Sequence, residues 1–253
     1  MKKMIWVLVA LLPMLMGLSC KKEEVKKGTV ELNFKGAFGS DPLVMYEQSY
    51  PYFDNNAVKF QLFQFYLSDI ALIREDNGQS VPLSEVALVS FKDVQTPAAA
   101  QAGITIKGDE IPIGRYKGIK AGLGVSPKLN ATNPGHYTPP HPLDDNYWSW
   151  AAGYVFMKIE GNADNDGDGQ FTDKLTFHTG ANDLYREHTW LKTIDVAEGQ
   201  SITIQFNVDL ERVLSTDASH FLDFRTYTQD HTNNPDVYNF LWDNLEPAIQ
   251  LSN

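Results

Sequence analysis

Between Val58 and Ile73 the chain runs through Phe60, Leu62, Phe63, Phe65, Tyr66 and Leu67, then alternates through Ile70, Leu72 and Ile73. It stops at the turn sequence Asp76-Asn77-Gly78. Such a run reads as a long strand closed by a tight turn. Its neighbours repeat the pattern. Thr29-Val-Glu-Leu-Asn-Phe34 alternates strictly, and Val86-Ala-Leu-Val-Ser-Phe91 is a further strand. Strand patterns follow at 104–106, 114–125, 154–159, 174–177, 191–196 and 201–208, separated by Gly and Pro clusters. Many short strands with turn-rich joints predict an all-β fold, a single β-sandwich-like domain. Two helical pieces are expected. One is a turn over 209–214 capped by Asp209. The other is a short C-terminal helix over about 235–245, with Asn234 as cap and Pro235 at its first position. Val237, Phe240, Leu241 and Leu245 share one of its faces.

The N-terminus sets the compartment. Lys2 and Lys3 precede an apolar run from Met4 to about Leu18, too short to span a bilayer. The run ends at Ser19-Cys20, and Cys20 is the only cysteine. This pattern predicts a lipoprotein signal over 1–19, a lipidated Cys20, a tether over 20–28 and a folded domain over 29–253. The protein is then an exported outer membrane lipoprotein, periplasmic or surface-facing, held to the membrane by its lipid anchor alone. Lys21-Lys22-Glu23-Glu24 resembles the surface-export signal of some Bacteroidetes lipoproteins. A single cysteine leaves no disulfide and no paired-thiolate metal site.

The formal charge is −11, and removing Lys2 and Lys3 gives −11 − 2 = −13. Nucleic acid and anionic lipid surfaces are poor partners for that balance, and cations and basic proteins are better ones. No nucleophile elbow, phosphate-binding glycine loop or His-Glu-x-x-His helix is present. The sequence therefore does not name a self-contained enzyme.

Two motifs carry possible metal chemistry. Asp164-Asn-Asp166-Gly-Asp168-Gly169 matches the start of a calcium loop, with oxygen ligands at alternate positions and a glycine turn. The twelfth position is Leu175, where a bidentate glutamate is needed, so Asp173 is the candidate fourth carboxylate. A solvated turn between strands explains the same residues. The histidines are the second resource. Imidazole is the natural copper or zinc ligand in an exported protein without paired thiols. His178 ends a strand, His141 precedes Pro142-Leu143, and His231 follows Asp230 before the C-terminal helix. His136, His188 and His220 read as surface or hydrogen-bonded rings. Trp148 and Trp150 stand two residues apart just before a strand. Both rings plugging the core, or one ring facing a metal site, are the two readings.

The segment Tyr147-Trp-Ser-Trp150 followed by Gly153-Tyr-Val-Phe-Met-Lys-Ile-Glu-Gly161 resembles the signature of the MbnP-like family. Phe65-Tyr-Leu-Ser-Asp-Ile70, Gly118-Ile-Lys-Ala-Gly-Leu-Gly-Val125, His141-Pro-Leu143, Phe177-His-Thr-Gly180 and Asp230-His-Thr232 agree in order. The resemblance spans about 29–251. It implies a β-rich copper-binding protein that is not an enzyme but the partner or substrate of a dihaem cytochrome c peroxidase-type protein. That partner converts a tryptophan to kynurenine, which joins histidines at a copper site. Carried over, the modified residue is Trp148 or Trp150, and the ligand candidates are His141, His178 and His231. The expected function is copper acquisition or handling. The alternative is a structural or adhesive surface lipoprotein with a calcium-stabilised loop over Asp164, Asp166, Asp168 and Asp173.

Overall fold

In the computed structural model, which describes residues 25–151 and 153–252, the long aromatic run forms the central strand of the larger of the two main sheets. The predicted signal, Cys20 and most of the tether lie outside the described residues. The main strands are β1 Lys27–Phe38, β2 Ala57–Arg74, β3 Ser80–Ser90, β4 Ile104–Pro112 and β5 Gly114–Leu123. They continue with β6 Met157–Asp164, β7 Asp173–Thr179, β8 Arg186–Val196, β9 Ser201–Asp209 and β10 Ile249–Leu251. The helices that matter are α1 Pro97–Ala102, α2 Leu210–Leu214 and α3 Pro235–Ala248.

The smaller sheet runs β10-β9-β1, with β4 on the far edge of β1. β1 and β9 are parallel, in register from Thr29↔Ser201 to Ala37↔Asp209. In the larger sheet β3 lies along one edge of β2. The other edge is divided: β6 pairs with Ala57–Phe65 and β5 with Leu67–Arg74. Tyr66 stands at the division. Its N–H donates to the Phe156 carbonyl at 2.9 Å, and its carbonyl accepts from Gly124 at 2.8 Å. The long loop over 126–156 therefore leaves and re-enters the sheet at one point, and folds over the sheet's outer face between. A side chain at Gly124 would run into the Phe156 ring, and its φ of +94° also suits glycine.

The two sheets meet through aromatic rings. Within the smaller sheet Phe34 stacks on Phe206 at 4.8 Å, and Trp190 of β8 reaches across from the larger sheet to meet Phe206 edge-on at 5.3 Å. The Trp190 indole N–H donates to the Ile249 carbonyl at 3.0 Å, so the ring closes the core and satisfies its donor. This is the all-β sandwich that the alternating patterns predict. α3 packs its Val237, Leu241, Trp242 and Leu245 inward.

Some boundaries move. β1 begins at Lys27, inside the predicted tether, because Lys27 and Gly28 already pair with Pro112 and Ile111. β6 begins at Met157, because Gly153–Tyr154 instead pairs with Tyr147–Trp148 in a separate small hairpin. Helix α1, not expected, starts from Thr96, whose hydroxyl accepts from Ala99 at 3.2 Å, with Pro97 next.

Candidate metal centre

The outer face of β6 and β7 carries the chemistry. Met157, Ile159 and Phe177 point into the core, so Lys158, Glu160 and His178 point out. His178 lies opposite Lys158 and diagonal to Glu160. Its Nε2 sits 2.8 Å from the Glu160 carboxylate. The carboxylate can only accept, so Nε2 carries the proton and Nδ1 keeps a free lone pair. Burial pushes the His178 pKa below its usual value, against the raising effect of the Glu160 bond; Lys158 and His231 lower it further. His178 is thus neutral at pH 7, the form that ligates metals. Next in the strand pair, Gly161 permits a bulge against β2, where an added side chain would collide with the Lys59 carbonyl.

His231 is brought to the same place by a tightly held loop. The short strand Gln229–Asp230 runs parallel to β7. The Asp230 carboxylate, 1% exposed, accepts the backbone N–H groups of Thr232, Asn233 and Asn234 at 2.9, 3.3 and 2.8 Å. Thr232 takes φ +61° in this turn. Its hydroxyl accepts from Gly180 at 3.0 Å and donates to the His178 carbonyl at 3.3 Å. The His231 and His178 rings end edge-to-face with centroids 5.1 Å apart. Two imidazoles held tetrahedrally by one ion, with metal–N bonds of about 2.0 Å, put their centroids about 5 Å apart.

The tryptophan hairpin forms the adjoining wall. Trp148 pairs with Gly153, and Trp148 and Trp150 have centroids 5.0 Å apart. Asn130 fixes the returning strand: its Oδ1 accepts from the Tyr154 N–H at 2.7 Å, and its Nδ2 donates to Asn182 at 2.9 Å. Trp148, Trp150, His231 and Thr232 line one cavity of about 350 Å³ with Asn130 and Gly180. An added side chain at Gly180 would collide with the Tyr154 carbonyl. Neither hairpin tryptophan belongs to the core: Trp150 is 69% exposed and Trp148 half-buried. The core indoles, Trp190 and Trp242, donate to the Ile249 and Leu184 carbonyls, whereas among the described residues Trp148 and Trp150 donate to none. The core-packing reading of the pair fails on both counts.

A family model named MbnP matches residues 27–235. The chain belongs to the MbnP family. Among solved structures, MbnP from Methylosinus trichosporium is similar at 19% identity, with a TM-score of 0.51, over 82% of this chain and 81% of that one. No curated protein matches. The MbnP likeness gives the fold, and the residues above give the site.

Of the predicted residues, this member of the MbnP family sets His178 against His231, and His231 in turn lines one cavity with Trp148 and Trp150. It does not bring the three histidines into one cavity. His141 lines a separate cavity beside Lys158 and Asp145, stacks on Tyr137 at 4.2 Å, and accepts the Leu143 N–H on Nδ1 at 3.1 Å. The loop leaving β5 is pinned there because the Tyr66 hydroxyl donates to the Pro142 carbonyl at 2.5 Å. His136 is exposed, while His188 pairs with Glu246 at 2.9 Å and His220 with Asp217 at 3.1 Å.

The acidic loop joins β6 to β7 as expected. Carboxylate oxygens of Asp164, Asp166 and Asp168 lie within 4.8 Å of one another. Asp173 stands apart from this group, its Oδ2 accepting from Asn165 at 2.8 Å. The loop already uses its carboxylates. Asp164 accepts from Gly167 and Gly169 at 2.8 and 2.9 Å, Asp166 from Asp168 at 3.2 Å, and Asp168 from Gln170 at 2.7 Å. Self-bonded Asx turns account for the alternating aspartates without an ion.

Sequence reading missed the residues that support the two imidazoles. Glu160 lies in the Glu160-Gly161 signature, but its diagonal reach to His178 appears only once the strand register is known. Asp230 carries a readable signal, an aspartate just before a polar turn and a helix cap.

Proposed function

We propose that this protein captures copper outside the inner membrane through His178 and His231, beside one oxidised ring of the Trp148–Trp150 pair. The observation that carries the reading is the 5.1 Å approach of two imidazoles next to the unpaired tryptophan hairpin. Membership of the MbnP family supports it. His178 presents Nδ1, because Glu160 occupies Nε2. Indole offers only an N–H donor, whereas kynurenine offers an amine and a carbonyl. Two imidazoles and one such group make a low-coordinate site suited to Cu(I).

The exposed Trp150 gives a dihaem peroxidase-type partner a ring it can reach. In this reading the protein is that partner's substrate, not an enzyme, and lipid on Cys20 holds it at the outer membrane. His141 lies outside the ligand set.

Peptide mass spectrometry of protein from its native host tests the proposal. The expected result is oxygen gain with carbon loss on Trp148 or Trp150. Two unaltered indoles, with no copper retained, would refute it. A second reading, a structural or adhesive lipoprotein, draws on the clustered Asp164, Asp166 and Asp168 as a calcium loop. Melting with and without EGTA separates the two: a large calcium-dependent shift favours the second.

A further inference from the structure

His141 and its loop roof a second cavity, of about 510 Å³, over the outer face of the larger sheet. This volume is within the range of small-molecule sites. Its floor is built from Gln64 of β2, Ser90 of β3 and Lys158 of β6. The buried polar groups here satisfy one another. Ser90 donates to Gln64 Oε1 at 3.2 Å, and Gln64 Nε2 to Asn146 Oδ1 at 3.0 Å. Asn146 Nδ2 then donates to the Tyr66 hydroxyl at 3.2 Å, and that hydroxyl to the Pro142 carbonyl at 2.5 Å. The chain runs one way and ends on a carbonyl, so it ties roof to floor and holds the cavity open.

Among the described residues, the charged side chains lining the cavity form no direct ion pair, though Asp145 lies near enough to Lys158 to favour its charge. Lys92 and Lys158 both face it, and among the described residues neither ammonium forms an ion pair or hydrogen bond. In a chain with 32 acidic and 21 basic side chains, carboxylates are not scarce. The nearest one along β6, Glu160, is committed to His178. Lys158 is half-buried, and burial disfavours its charge. His141 adds a neutral donor: its Nδ1 accepts from Leu143, so the proton is on Nε2. Asp144 and Asp145 line the same cavity and supply the opposite sign.

We infer that this cavity binds a small zwitterion, an amino acid or short peptide. Its carboxylate meets Lys92 and Lys158, and its ammonium meets Asp144 and Asp145. The site is distinct from the histidine pair and does not rest on the copper reading.

The test is a titration of metal-free protein, followed by amide NMR shifts at Gln64, Ser90 and Lys158. The probes are glycylglycine, acetate and methylamine at constant ionic strength. Glycylglycine should saturate at least tenfold more tightly than either half-charge probe. Lys158→Gln should weaken it at least tenfold. Lys92→Gln, on the exposed rim, repeats the test without disturbing the sheet. No saturable shift, acetate binding as tightly as glycylglycine, or wild-type affinity in both lysine variants would overturn the proposal.

Discussion

Asp230→Ala removes the anchor of the loop that carries His231. The carboxylate is 1% exposed and accepts three backbone N–H groups, at 2.8, 2.9 and 3.3 Å. Two short charge-assisted bonds contribute about 1.5 kcal/mol each, and the long one about 0.5 kcal/mol. The freed turn lets Thr232 leave its φ of +61°, which returns about 1 kcal/mol. The expected net loss is therefore about 2.5 kcal/mol. Asp230→Asn keeps one acceptor oxygen and should lose roughly half as much. Urea unfolding measures this as a shift of midpoint at unchanged slope. The His231 ring should also lose its fixed position, so copper affinity falls in step with the stability change. A loss under about 1 kcal/mol for Asp230→Ala would refute the claim that this carboxylate builds the loop.

Three further outcomes follow from the same geometry. The folded-state pKa of His178 is lowered, so folding favours its neutral form and its stabilising contribution is present above the unfolded value of 6.5. That contribution is lost as pH falls below 6.5; wild type should lose stability faster than His178→Gln there, and parallel pH profiles would contradict it. Gly161→Ala forces a Cβ onto the Lys59 carbonyl and should cost about 2 kcal/mol in thermal or urea unfolding. Asp164→Ala removes two charge-assisted bonds from a carboxylate that is 6% exposed. It should cost about 2–3 kcal/mol equally with and without EGTA; a loss seen only with calcium present would contradict the self-bonded loop.

The sandwich was legible because its strands announce themselves by period. The run over 58–73 became β2, and the alternation over 29–34 became the centre of β1. Boundaries failed where pairing, not composition, decides them. Ser80 to Glu85 contains Pro82 and joins β3 only because β2 offers an edge, and Ile249–Leu251 is a strand only because β9 lies beside it.

The site was half legible. His178 and His231 are separated by more than fifty residues, and only the parallel pairing of Gln229–Asp230 with β7 brings them together. His141 lies much closer to the tryptophans in sequence, yet the anchoring of Pro142 by Tyr66 sends it into another cavity. The tryptophan pair looked equally suited to core and site. Exposure, and indole donors unpaired among the described residues, remove the core reading, and neither can be read from spacing.

In the proposed site His178 and His231, and not His141, hold the metal. Competition titration with a Cu(I) chelator on protein isolated from its native host tests it directly. The double variant His178→Ala, His231→Ala should lose affinity at least a hundredfold, while His141→Ala stays within threefold of wild type. Loss of affinity in His141→Ala together with retention in the double variant would contradict the account.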